Sequence, residues 1–128
     1  MAELKLRRCQ GLALGLTLAV VLGPSPALAQ AASAERGKAL YASRCVACHS
    51  VDTNRVGPLH RGVLGRRAGT VPGYAYSDAL RGSTVVWSRE TLQAWLKDPE
   101  ALIPGQQMGY QVETLQDRLD LVAFLATL

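Results

Sequence analysis

The chain has 128 residues, 14 Lys and Arg against 10 Asp and Glu, a formal charge of +4, and a hydrophobic fraction of 48%. No basic run is longer than Arg66-Arg67 and no aromatics interleave with basic residues, which excludes a nucleic-acid-binding surface. With three Cys and two His in all, few side chains are available for metal or redox chemistry.

The N-terminus reads as a secretory signal. "MAELKLRR" is short and basic, "GLALGLTLAVVLG" is apolar, and "ALA" at 27–29 offers small residues to a peptidase. Cleavage is expected after Ala29, with export to the periplasm. The apolar run is shorter than the roughly 20 residues of a spanning helix, and Pro24 and Pro26 interrupt it, so an uncleaved anchor is the weaker reading and no membrane insertion is expected after cleavage. Cys9 leaves with the signal. The expected organisation is therefore a signal peptide at 1–29 and one domain at 30–128, whose 99 residues make a thin core that a large bound group would thicken. Loss of Glu3, Lys5, Arg7 and Arg8 leaves eleven basic and nine acidic residues, a charge of only +2.

"SAERGKALYASRC" predicts a first helix capped by Ser33, with Leu40 and Tyr41 on one side near Gly37. "GPLHRGVLGRRAGTVPGYAYSDALRGSTVV" follows, and its six glycines and two prolines forbid long regular structure apart from a helical turn around 77–81. So long a loop in so small a domain is either disordered or wrapped around something, and Tyr74, Tyr76 and Trp87 argue for wrapping. "WSRETLQAWLKDP" predicts a second main helix, capped by Ser88, carrying Leu92, Trp95 and Leu96 at helical spacing and stopping before Pro99. "TLQDRLDLVAFLATL" predicts a third, capped by Thr114, with Leu115, Leu119, Val122 and Leu125 or Phe124 on its apolar stripe. Strand-type alternation is slight and no repeat is visible, so the fold class is all-α.

"SRCVACHSV", residues 43–51, is the chemical centre of the sequence. A thiol pair in an exported chain can form a disulfide, bind zinc, or take a haem. Zinc fails on ligand count, because Cys45, Cys48, His49 and His60 include two adjacent positions and no second pair. A redox dithiol of the thioredoxin kind would expect a strand–helix–strand surround. Covalent haem explains the spacing: Cys45 and Cys48 each add to one vinyl group, and His49 directs its imidazole at the iron. For the opposite face, His60 follows His49 too closely to come round the ring and reads as a rear-side or surface imidazole. Met108 is the one thioether after residue 29, in "IPGQQMGY", where Pro104-Gly105 and Gly109 can press backbone against a flat ligand. A lone Met is more often packing, but here it is expected to ligate the iron, giving His49 and Met108 as the metal ligands.

Taken together, "GKALYASRCVACH", Gly57-Pro58, "GRRAG" at 65–69, "PGYAYS" at 72–77, Trp87, "TLQAWLKDP", "IPGQQM" and "DRLDLVAFL" resemble, in order and over roughly 35–125, a class I cytochrome c of the mitochondrial and soluble bacterial monohaem type. The resemblance implies a cytochrome c fold, three main helices with long loops wrapped around one haem c. It implies that Gly37 lets the first and last helices cross closely near Leu121 and Phe124. It also implies that Pro58 accepts a hydrogen bond from His49, and that Tyr76 and Trp87 donate to a haem propionate whose charge Arg66 offsets. Some positions depart from the family pattern. Many relatives have a Leu one residue beyond Leu59, where this chain has His60; Trp95 stands for a Tyr that bonds the methionine sulfur; Leu80 replaces an Asn; and Gln106 and Gln107 replace Thr and Lys.

The function implied is one-electron transfer rather than enzymatic catalysis, by a monomer shuttling between membrane or periplasmic redox proteins of a respiratory or photosynthetic chain. Arg44 and the 106–110 loop, with Tyr110, are expected to rim the haem edge, and +2 against two propionates implies weak long-range steering. The rivals are a haem subunit of a larger dehydrogenase or oxidase, and an open-site haem enzyme or sensor.

Overall fold

The structure, a computed structural model, describes residues 30–128, so the predicted signal peptide lies outside the described residues. Local capping chemistry starts each helix. In α1 (Ala34–Arg44) the Ser33 hydroxyl accepts the Arg36 N–H at 3.2 Å, with Glu35 in the first turn and Arg44 in the last, as the macrodipole prefers. The predicted turn is α2 (Asp78–Gly82), capped by Ser77. Before α3 (Arg89–Lys97), the Ser88 hydroxyl accepts from the Thr91 N–H at 3.1 Å and the Thr91 hydroxyl from the Ser88 N–H at 2.7 Å, a reciprocal capping box. Thr114 caps α5 (Leu115–Leu125).

The predicted stop before Pro99 holds, but the chain turns helical again at once. Asp98 ends α3 and caps α4 (Pro99–Leu102), accepting the Ala101 N–H at 3.1 Å. Proline is tolerated at a first helical position because that N–H would have no helical partner. Among the described residues the β content is a single isolated bridge, Arg67 to Val86.

The frame is α1 laid across α5, with α3 against α5. At the crossing, a Cβ on Gly37 would lie 1.9 Å from the Asp120 carbonyl oxygen and 2.9 Å from the Phe124 Cβ, so only glycine permits this approach. The crossing thus falls at Asp120 and Phe124, beside the buried Leu121. One expectation is corrected: Leu115 is 50% exposed and Leu119 only half-buried, because the buried stripe of α5 runs through Arg118, Leu121, Val122 and Leu125. Leu121, fully buried, contributes about 1.5–3 kcal/mol by leaving water. Arg118 is tolerated in the stripe because its guanidinium donates to the Val112 and Glu113 carbonyls at 2.6 and 2.7 Å.

Asp120, 2% exposed, takes the Ser33 N–H at 2.7 Å, Arg36 Nε and Nη2 at 2.7 and 2.8 Å, and Gln116 Nε2 at 3.1 Å. Arg36 holds its carboxyl below the usual carboxylate range, against the opposing effect of burial. A depressed carboxyl stabilises the fold above its unfolded-state pKa, and that stabilisation disappears as pH falls through the folded one. Asp120→Asn is therefore expected to lower Tm at pH 7 by on the order of 5 °C and by less at pH 3; equal losses at both, read by circular dichroism, would remove the charge from the account.

The long loop is ordered and wrapped, as predicted. Gly65 N–H donates to Trp87 O at 2.8 Å, Trp87 N–H to Arg66 O at 2.9 Å and Ala68 N–H to Val85 O at 2.8 Å, tying its start to its end. Tyr74 and Tyr76 pack edge to face at 4.6 Å, and both border the cavity it encloses.

Candidate cofactor site

The C-terminus of α1 sets up the cluster. Cys45 caps the helix by donating its N–H to Tyr41 O at 2.9 Å, and the Cys48 and His49 N–H groups both turn back onto Cys45 O at 3.1 and 2.9 Å. Two free thiols, Cys45 half-buried and Cys48 exposed, thereby stand beside one imidazole. Burial pushes the Cys45 thiol up to about 11, against the pull of Arg44.

His49 Nδ1 lies 2.8 Å from the Pro58 carbonyl. A carbonyl can only accept, so Nδ1 carries the proton and Nε2 keeps its lone pair. Burial lowers the pKa of the ring, opposed by the Pro58 bond, which favours the neutral ligand form. Gly57 has a steric reason as well: its Cβ, if present, would sit 2.2 Å from His49 Cε1. His60 stacks on the face of this ring, with centroids 4.2 Å apart and planes 20° from parallel, and itself borders the cavity, while the Tyr41 hydroxyl meets its Nδ1 at 3.0 Å.

Met108 arrives from the loop between α4 and α5. Its sulfur accepts the Trp95 indole N–H at 3.1 Å, so the large indole does the bonding that the sequence left open for this position. Trp95, 9% exposed, is held edge-on by Trp87 at 5.3 Å. The loop is braced by a residue that sequence reasoning missed. The Glu100 carboxylate accepts the Gly105 N–H at 2.9 Å and Gln106 Nε2 at 3.2 Å, while Gln106 Oε1 accepts the Met108 N–H. Asn54 was missed too; it accepts the Leu59 N–H at 3.1 Å and donates to Pro72 O at 3.0 Å, tying the chain after Pro58 to the turn at Pro72. Only the nearness of Glu100 to the Pro-Gly turn hinted at the first, and nothing local marked the second.

All eight residues singled out from the sequence border one cavity of about 530 Å³. Arg66 reaches it while donating to the Arg61 and Leu59 carbonyls at 2.8 and 3.0 Å. Tyr76 accepts the Val71 N–H at 3.4 Å, which leaves its own hydroxyl proton available. Tyr110 is at the mouth, 41% exposed, and Arg44 is paired with Asp117 at 2.8 Å. The donor set suits a haem: two thiols, an imidazole with a free Nε2, a thioether, and walls of Trp87, Trp95, Leu96 and Leu121. It does not suit a bare ion, since no group of three or more His, Cys, Asp or Glu among the described residues could hold one.

The sequence pattern of the Cytochrome c family matches residues 34–128. The chain is similar to a cytochrome c of Euglena viridis, 45% identical over 98 residues, 74% of this chain and 96% of that protein. It is also similar to a cytochrome c2 of Blastochloris viridis, 38% identical over 109 residues, 82% of this chain and 85% of that one. Among solved structures, cytochrome cH from Methylobacterium extorquens superposes with a TM-score of 0.71 at 38% identity, covering 74% of this chain and 98% of its own. The geometry and these likenesses agree: the chain belongs to the cytochrome c family and is a class I monohaem c-type cytochrome, with one haem c bonded through Cys45 and Cys48.

Proposed function

We propose that this chain is a one-electron carrier of the periplasm, with residues 1–29 as its cleaved signal and 30–128 as its haem domain, and with His49 and Met108 as the two axial ligands. The observation that carries the reading is the Trp95 bond to the Met108 sulfur, which presents a thioether at the wall of the cavity that His49, its Nε2 lone pair free, also borders. When bound, the haem supplies an iron that changes by one charge between Fe(II) and Fe(III). The chain's own part is to hold that iron in a fixed, water-poor frame. Tyr76 and Trp87 would donate to a propionate and Arg66 would offset its charge, while Pro58 keeps His49 in the ligating tautomer. His49 and Met108 would hold the iron between them and so leave it no place for a substrate, as a carrier rather than an enzyme requires.

At the mouth, Tyr110 and the 75% exposed Val56 are uncharged, and Arg44 is neutralised by Asp117. Membrane or periplasmic redox proteins that accept or give the electron would therefore meet a monomer with weak charge steering.

The test is the purified holoprotein. Its mass should exceed that of residues 30–128 by one haem, its ferric spectrum should show the weak far-red band of a sulfur-ligated iron, and carbon monoxide should bind slowly or not at all. Rapid binding would instead make it an open-site enzyme or sensor, and co-elution of the native protein with a large complex would make it a subunit. Trp95→Phe removes the hydrogen bond donated to the sulfur and so makes the thioether a better donor to ferric iron; the reduction potential should fall by about 30 mV, half of one decade at ~59 mV per decade. A rise measured by redox titration would reverse that sign.

A further inference from the structure

Two neighbours of His49 are accounted for by tautomer or space: Pro58 takes the Nδ1 proton and Gly57 clears the ring edge. A third neighbour is His60, a flat polar ring stacked on the face of His49. We propose that His60, anchored by Tyr41, is a positioning residue that sets the rotation of the His49 ring about its Nε2, and through it the electronic axes of the iron; this rests on the ligand pair given above.

The hydrogen bond to Pro58 directs Nδ1 but leaves the tilt of the ring soft, since hydrogen bonds to carbonyl oxygens tolerate a broad range of angles. A stacked ring 4.2 Å away and 20° from parallel restricts that tilt, because the face of His49 can turn only by moving His60. His60 in turn cannot move freely. Its Nδ1 is 3.0 Å from the Tyr41 hydroxyl, and Tyr41 is itself 5% exposed and packed against Phe124 of α5 at 5.2 Å. An unbroken line of contacts therefore joins the α1–α5 crossing to the imidazole that faces the cavity. A leucine at 60 could fill the space but could not be pinned by a hydroxyl.

The Tyr41 hydroxyl and His60 Nδ1 share one hydrogen bond at 3.0 Å, whichever of the two donates, and that bond fixes the plane of the His60 ring.

The experiment uses the ferric holoprotein and the Tyr41→Phe, His60→Leu and doubly substituted forms, with proton NMR of the haem methyl groups and the reduction potential as readouts. The order and spacing of the methyl shifts follow the orientation of the axial ring plane, which overall stability does not move. Tyr41→Phe and His60→Leu should each shift the methyl pattern and the potential, and the double form should shift them no further than His60→Leu alone, because both act through one contact. A methyl pattern for His60→Leu that coincides with the unsubstituted protein would overturn the proposal, as would additive shifts. Should His60→Leu fail to retain haem, Tyr41→Phe, which loses one oxygen from the side chain, decides the matter in the same way. Absence of the far-red sulfur band in the unsubstituted protein would sink the ligand assignment instead, a separate outcome read before any substitution.

Discussion

Met108→Ala is expected to erase the far-red band, open the iron to carbon monoxide and lower the reduction potential by at least about 120 mV. The sulfur favours Fe(II) over Fe(III), and losing a preference on the order of a hundredfold costs two decades at ~59 mV each. No neighbouring group can take its place: Trp95 offers an N–H donor, and the Gln106 amide oxygen is occupied by the Met108 N–H. The protein should remain folded, because Met108 is only partly buried and packs at the margin of the core. Redox titration and ligand binding check the result. A potential unchanged within a decade would show that Met108 merely packs in the wall, the bland role that a lone methionine in a small domain usually has.

Gly37→Val should be the most destructive single change to the fold. The added Cβ alone meets a backbone carbonyl at 1.9 Å, and a backbone atom within a helix cannot move aside as the end of a side chain can. Overpacking in cores costs about 1–3 kcal/mol where neighbours can adjust; here α1 and α5 must separate, so the cost is at least about 3 kcal/mol, a large part of the ~5–15 kcal/mol that holds a domain together. Separation would also withdraw Ser33 and Arg36 from Asp120. The expected loss in Tm is above ~12 °C at ~4–8 °C per kcal/mol. Gly82→Ala is the control: nothing lies within 4 Å of its Cβ position, and Tm should stay level or rise slightly. Similar melting losses for the two would show that helix propensity, and not the crossing, decides.

The helices were legible because their signals are local. Ser33, Ser77, Ser88 and Thr114 cap what their own hydroxyls can reach three residues on, so a short window of sequence suffices to place each start. The thiol pair and the imidazole were legible for a similar reason, since all three act within one turn at the end of α1. The stripe of α5 was misread at Leu115 because helical spacing alone cannot tell whether its first leucine lies under a neighbour or beyond the edge of the contact with α1.

By itself, then, the order of residues determined an all-α chain, its caps, and a Cys-x-x-Cys-His cluster whose spacing is chemically specific to haem. Tertiary structure alone decided that Glu100 braces the methionine loop, that Asn54 ties Leu59 to Pro72, that Asp120 takes the N-terminus of α1, and that His60 lies flat on His49 with Tyr41 behind it. Those contacts join segments far apart in the chain or turned around a loop. Such a hydrogen bond or ring stack depends on where two backbones are carried by the packing of everything between them, and no periodicity or composition records that placement.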